Sequence, residues 1–276
     1  MTNNPLVSII TPCYNDAHFI HLPINSVLDQ PYGNYEMIIV NDGSTDKRTL
    51  DILGNIDHSK IRVVHKKNGG LPAARNFGIN LSKGKYILPL DSDDQITSIC
   101  LERSVRELEN KPNIAMVYGD YMVFGDEDRV VRTGRFNRYR LLWNNYLCVC
   151  SMFRRSAWEV VGGYTEEMKG FEDWEYWIKL IESGFAFEKI DEIMFMYHRH
   201  SGSMWTRDKG KYKRLIAQIR SLHPRLYDEN NMKELREELN VSRIQDLVYR
   251  IPLPWRYKLG KSFVRRFIKP FERYFL

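Results

Sequence analysis

Cysteine is scarce in this 276-residue chain: Cys13, Cys100, Cys148 and Cys150 have spacings that suit neither a zinc site nor a Cys-x-x-Cys redox pair. Free thiols in a reducing compartment are therefore expected. Long apolar runs are missing too, since none reaches the roughly 18 residues that suggest a membrane-spanning helix. Met1-Thr2-Asn3-Asn4-Pro5 shows no basic region followed by an apolar one, so no secretory signal is read and a cytoplasmic location is expected. Phosphate-binding glycine motifs are also lacking. No G-x-G-x-x-G follows the first strand-like run and no G-x-x-x-x-G-K-[ST] occurs, which argues against dinucleotide and P-loop binding.

With 43% hydrophobic and 28% charged residues the chain is ordinary for a globular protein, so disorder is not expected. Its length suits one large α/β domain with an extension, or two small domains. The net charge of +6 is unevenly placed: from Arg250 to Leu276 eight basic residues face only Glu272, leaving about −1 on the remainder. The basic balance belongs to the tail and does not favour a nucleic-acid-binding core.

Apolar runs and helical patterns alternate along the first half. Leu6 to Thr11 reads as a strand, Pro12-Cys13-Tyr14-Asn15 as a loop, and Phe19, Ile20, Ile24, Val27 and Leu28 as a helical stripe. Met37 to Val40 is a second strand ending in Asn41-Asp42-Gly43-Ser44-Thr45-Asp46, with a helix through Leu50 and Leu53. Ile61 to Val64 makes a third, followed by Gly69-Gly70-Leu71-Pro72 and a helix over Ala73 to Leu81 that Pro72 can open. Continuous rather than alternating apolar strands argue for a parallel sheet covered on both faces.

The fourth strand, Lys85 to Leu90, empties into Asp91-Ser92-Asp93-Asp94. Ligands of open α/β sheets bind beyond the carboxyl ends of strands, and three crowded acids are relieved by a hard divalent cation shared with phosphate oxygens. The same residues also suit a turn and N-cap for a helix over Ile96 to Leu108. At this edge Tyr14, Asn15, Asp42, the acid cluster, Arg75 and Asn76 would gather, an aromatic, amide, acid and cation set suited to a nucleotide. Tyr118 and Asp120, in a polar and aromatic middle, are read as core packing and turn residues. A later helix opening at Asp173 carries Trp174, Trp177, Ile178 and Ile181 on one stripe and ends at Gly184. There Asp173 suits an N-cap, and Glu172 beside it suits the helix dipole.

Thr11-Pro12-Cys13-Tyr14-Asn15, Asn41 to Asp46, Ala74-Arg75-Asn76-Phe77-Gly78 and Asp91 to Asp94 together resemble the family 2 glycosyltransferases of GT-A fold. Gly162-Gly163-Tyr164, Gly170 to Trp174 and Tyr197 to Ser203 extend the resemblance to about Leu6–Ser203. It implies an α/β fold with an open, mostly parallel sheet flanked by helices, residues 1–205 forming the catalytic domain and 206–276 a helical extension. It further implies an enzyme that moves a sugar from a nucleotide diphosphate donor, usually a UDP-sugar, to an acceptor hydroxyl with inversion, in polysaccharide biosynthesis.

Carried onto this sequence, the resemblance gives Thr11, Pro12, Tyr14, Asn15, Asp42, Arg75, Asp91, Ser92 and Asp94 as donor-binding residues. Asp93, Asp91 and His200 become ligands for Mn²⁺ or Mg²⁺, Asp173 the base and Glu172 its substitute. The acceptor is expected to be a saccharide or a lipid-linked saccharide. Helices are expected over Arg207–His223, Met232–Arg250 and Trp255–Phe267, the last basic and aromatic enough for an anionic membrane surface on the cytoplasmic side. Packing on protein is its alternative. A nucleotidyltransferase and a non-catalytic docking module of the same fold are the rival readings.

Overall fold

The computed structural model describes residues 4–200 and 211–251. Four strands, β1 (Val7–Cys13), β2 (Tyr35–Asn41), β3 (Ile61–His65) and β4 (Tyr86–Pro89), alternate with helices α1 (His21–Leu28), α2 (Lys47–Gly54) and α3 (Leu71–Leu81). They pair in parallel in the spatial order β3-β2-β1-β4. Residues alternate between two apolar layers: Ile10, Ile38 and Val40 join one cluster, while Ile9, Met37 and Ile39 join the other. That two-sided burial is why these strands read as continuous apolar runs.

β1 runs to Cys13, two residues past the expected end. Ile10 O accepts from Leu90 N and Cys13 O from Asp42 N, both at the ladder's end, so alternation turns Pro12 toward the β4 side. There β4 has stopped opposite Ile10, and the N–H that proline lacks costs the sheet no bond.

Beyond β4 the sheet continues through β8 (Met152–Arg154), β6 (Ile114–Gly125), β9 (Ala186–Arg199) and β5 (Gln95–Ile96), with β7 (Arg129–Val131) on β6. β8 is antiparallel to both neighbours, whereas the long β6–β9 pair is parallel. The helix expected from Ile96 starts only at Cys100, as α4 (Cys100–Asn110). Gln95 and Ile96 pair instead with Met196 and Phe195 of β9, a contact set by residues some hundred positions away. The acids at 91–94 therefore do not cap α4, whose N-cap is Ile99.

α5 (Arg138–Trp143) and α6 (Arg155–Val161) precede α7 (Glu172–Glu182). α7 begins one residue earlier than expected, after Phe171 in the left-handed region at φ 58°. Trp174 and Trp177 are wholly buried, and Trp174 Nε1 donates to Leu141 O at 2.7 Å, fixing the start of α7 on α5. Truncating such a buried indole costs about 3–5 kcal/mol.

The described extension forms α8 (Tyr212–Leu222), α9 (Glu229–Glu238) and α10 (Arg243–Arg250). The single helix expected over Met232–Arg250 is two, because Asn240 takes φ 49° and Ser242 starts α10 with a capping box to Gln245. Leu215, Ile219, Met232, Leu235 and Tyr249 join the same apolar cluster as Trp174 and Trp177. The segment expected as helix Trp255–Phe267, with its membrane role, lies outside the described residues. No described helix is long and apolar enough to cross a membrane. All four cysteines are free and buried.

Candidate active site

The loop after β1 presents Tyr14, 51% exposed, and then Asn15 at φ 52°. Asn15 Oδ1 accepts from Thr45 N at 2.8 Å and Asp46 N at 3.0 Å, and its own N–H donates to Ser44 Oγ at 3.0 Å. It clips this loop to the one after β2. Thr11 is wholly buried within β1.

Asp42, 3% exposed, accepts from Lys66 Nζ at 2.6 Å and Gly69 N at 3.0 Å on Oδ1, and from Gly70 N at 2.8 Å on Oδ2. Gly43 has φ 74°, and a Cβ there would lie 2.6 Å from Asn68 N. Only glycine allows the two loops so close. Gly70 opens α3, so Asp42 fixes the position from which Arg75 projects.

Arg75 is 1% exposed. Its Nη2 donates to Asp91 Oδ1 at 2.7 Å and its Nη1 to Glu172 Oε1 at 2.6 Å, with the Tyr164 ring 5.6 Å from the guanidinium carbon. Burial works against its charge, but Asp91 and Glu172 outweigh that and raise its pKa. One buried cation thus ties the end of β4 to the start of α7. Asn76, on the same helix, donates to Tyr164 O at 2.9 Å and accepts from Tyr164 N at 2.9 Å.

Of the acids after β4, Asp91 is spoken for by Arg75 on one oxygen. Ser92 is buried. Burial, then the neighbouring Asp91, raises Asp93 to about 6, and its Oδ2 lies 2.9 Å from His200 Nε2. Asp94 is wholly buried, accepts from His198 N at 2.7 Å and is raised well above its ordinary value, first by burial and then by Asp93. Asp94, expected among the donor-binding residues, braces the end of β9.

His198 completes a group with Asp93 and His200 whose donor atoms all lie within 4.8 Å of one another. Phe124 stacks on His198 with centroids 4.7 Å apart, and Phe19 packs edge-on against it at 4.7 Å. From sequence His198 stood only as a neighbour competing with His200 and was assigned no role, yet the signal existed: residues i and i+2 at the end of a strand face the same way.

Asp173, in the first turn of α7, is partly exposed. Its Oδ1 accepts from Trp174 N at 2.7 Å and its Oδ2 from Asn145 Nδ2 at 3.0 Å. Burial first, then Glu172, raises it to about 6 against the pull of Arg75 and these donors. Glu172 is buried and bonded to Arg75, which ill suits a substitute base that must reach an acceptor. Tyr118 and Asp120 lie inside: Tyr118 donates to Gly134 O at 2.8 Å, and Asp120 is paired with Arg132 and Lys189.

Contacts run without a break from Asp42 through Gly70, α3 and Arg75 to Asp91 and Glu172, with Asp93 and Asp173 flanking the ends. Lys66 and Asn145 entered this set without any motif to announce them.

The model of "Glycosyl transferase family 2" matches residues 8–165. The chain is 29% identical over 247 residues to a chondroitin synthase of Pasteurella multocida, an alignment covering 87% of this chain but 25% of that protein. It also resembles the solved structure of S. aureus TarS 1–349 in complex with UDP-GlcNAc, with TM-score 0.66, 19% identity and coverage of 94% of this chain and 80% of that one. A mannosyltransferase of Pyrobaculum calidifontis in complex with GDP-Man and Mn²⁺ gives TM-score 0.62 at 17% identity, covering 90% and 74%. With its mostly parallel sheet, the acids after β4 and more than half its length matched, this chain belongs to glycosyl transferase family 2.

Proposed function

We propose that the chain transfers a sugar from a nucleotide diphosphate donor, a UDP-sugar, to a hydroxyl of a saccharide or lipid-linked acceptor, in one inverting displacement. The observation that carries this reading is the Arg75 bridge, which sets the Asp91–Asp93 end of the site against the Asp173 end. The similarity to a chondroitin synthase, and to a structure complexed with UDP-GlcNAc, supports a nucleotide-sugar donor.

Asp93, His198 and His200 offer one carboxylate and two imidazole donors to a divalent ion, with Asp91 at its edge. Two nitrogen donors favour Mn²⁺ over the more oxygen-bound Mg²⁺. The crowded, half-desolvated Asp93 fits such an ion, since a cation there relieves the repulsion that raises its pKa. When bound, the metal supplies Lewis-acid stabilisation to the departing diphosphate.

The remaining work falls to the chain's own groups. Tyr14 offers an exposed ring for the base, beside a loop edge held by Asn15 and Asp42. Arg75 keeps Asp91 in place for the donor side. Asp173 takes the proton from the acceptor hydroxyl while the new glycosidic bond forms, a role that requires it ionised.

The test is a panel of nucleotide sugars in thermal shift, with and without Mn²⁺, followed by nucleotide release from the ones that bind. A UDP-sugar that stabilises only with Mn²⁺ and yields UDP is expected. Pyrophosphate release from a nucleoside triphosphate, or no nucleotide binding at all, would overturn the proposal in favour of a nucleotidyltransferase or a non-catalytic module.

A further inference from the structure

The loop after α5 is held from several sides. Asn144 ends α5 and its side-chain amide donates to Tyr249 O of α10. The Tyr146 hydroxyl accepts from Asn137 N at 2.8 Å, at the other end of α5, and Leu147 is buried. Between these anchors sits Asn145. Its Oδ1 accepts from Leu147 N at 3.3 Å while its Nδ2 donates to Asp173 Oδ2 at 3.0 Å. Neither end can be exchanged, because a backbone N–H only donates and an ionised carboxylate only accepts. The amide is therefore locked with its donor toward Asp173.

Asp173 Oδ1 is taken by Trp174 N, so the carboxylate is gripped on both oxygens and its plane is set. Oδ2 retains a lone pair for an incoming hydroxyl. We propose that Asn145 is a positioning residue for the transfer: its amide orients the Asp173 carboxylate and favours its ionised form, and the extension helix α10 holds Asn145 in place through Asn144. This rests on the reading of Asp173 as base.

The charges facing Asp173 make the amide consequential. Glu172 on the same helix opposes ionisation, Arg75 on α3 favours it but spends its hydrogen bonds on Asp91 and Glu172, and Tyr164 lies in the same field. Among the described residues, Asn145 is the side chain that donates to Asp173 directly. Nothing in the local sequence announces it, because the partners are 28 positions apart.

The test measures UDP release from UDP-GlcNAc with Mn²⁺, from about pH 5 to about pH 9, for the wild type, Asn145→Ala, Asn145→Asp and Asp173→Asn. Asn145→Asp is nearly isosteric, so a structural role alone predicts a profile like that of the wild type. A second carboxylate facing Asp173 predicts the reverse. The acid limb should rise by about one pH unit in Asn145→Ala and further in Asn145→Asp, with kcat lowered and the donor KM within about threefold. Titration of ¹³C-labelled aspartate by NMR, with the Asp173 signal assigned by its loss in Asp173→Asn, reads the same shift without turnover. An unmoved Asp173 midpoint in both Asn145 variants overturns the inference, even if Asp173→Asn abolishes release. Release by Asp173→Asn within a few-fold of wild type would instead sink the base assignment itself.

Discussion

Asp42 receives a lysine ammonium and two glycine N–H groups, whereas Asp173 receives one backbone N–H and one amide, while Arg75 bonds Asp91 and Glu172. Both acids belong to the same chain of contacts around α3, yet one is saturated and the other is left under-compensated. A saturated carboxylate fixes loops in place. An under-compensated one retains an appetite for a proton, which a general base needs at the moment of transfer. On the proposed reading Asp42 serves architecture and Asp173 chemistry, and the same Asp→Asn change should differ between them in its pH dependence.

Removing Arg75, the cation between the two acids, should have the largest effect. Arg75→Met would leave the buried Glu172 and the part-buried Asp91 without their partner, at a cost of about 3–5 kcal/mol in denaturant unfolding. Stability within error of the wild type would mean that the bridge is not formed. Asp42→Asn comes next: it weakens the Lys66 and glycine bonds that set the 66–70 turn, and about 1–3 kcal/mol of stability should go with it.

Asp173→Asn should differ in its dependence on pH. Raised to about 6 from an ordinary 3.8, Asp173 binds its proton more tightly in the folded chain. Its favourable contribution is therefore complete below the unfolded pKa and is lost as pH rises through about 6. Above that, the ionised wild type carries a cost that asparagine avoids, while the asparagine NH2 would face a donor, Trp174 N or Asn145 Nδ2, at every pH. The pH dependence separates the two: scanning calorimetry of the metal-free proteins should find the wild type losing about 2–4 °C relative to Asp173→Asn between about pH 4 and about pH 7. A difference in melting point that does not change over that range would show that Asp173 is as well compensated as Asp42. The smallest effect is a pH profile, in which kcat/KM falls on the acid side with a midpoint near 6 as Asp173 takes up its proton.

The parallel half of the sheet was readable because each β1–β4 strand is a short apolar run closed by its own turn residues, and the helices between them carry a local stripe. Asp91 to Asp94 were legible as a cluster, but not the division of labour within them. That division depends on β9: its His198 N–H draws Asp94 inward, and its last residues bring His200 to Asp93. Gln95 and Ile96 misled for the same reason, since a two-residue strand exists only through its distant partner. The Arg75–Glu172 bridge spans 97 positions and the Asn145–Asp173 bond 28, and neither has a periodicity that a linear reading detects. α9 and α10 read as one helix because a lone Asn240 at positive φ interrupts an otherwise helical composition.

The proposed role of Asp173, acceptor-side base opposite the donor's metal-binding end, carries the mechanism. Its most direct test compares Asp173→Asn with the wild type for Mn²⁺-dependent UDP binding by calorimetry and for sugar transfer in the same preparation. UDP affinity within about threefold and turnover reduced by about 10²–10⁴-fold is the predicted result. Turnover within a few-fold of the wild type, with UDP binding intact, would contradict it.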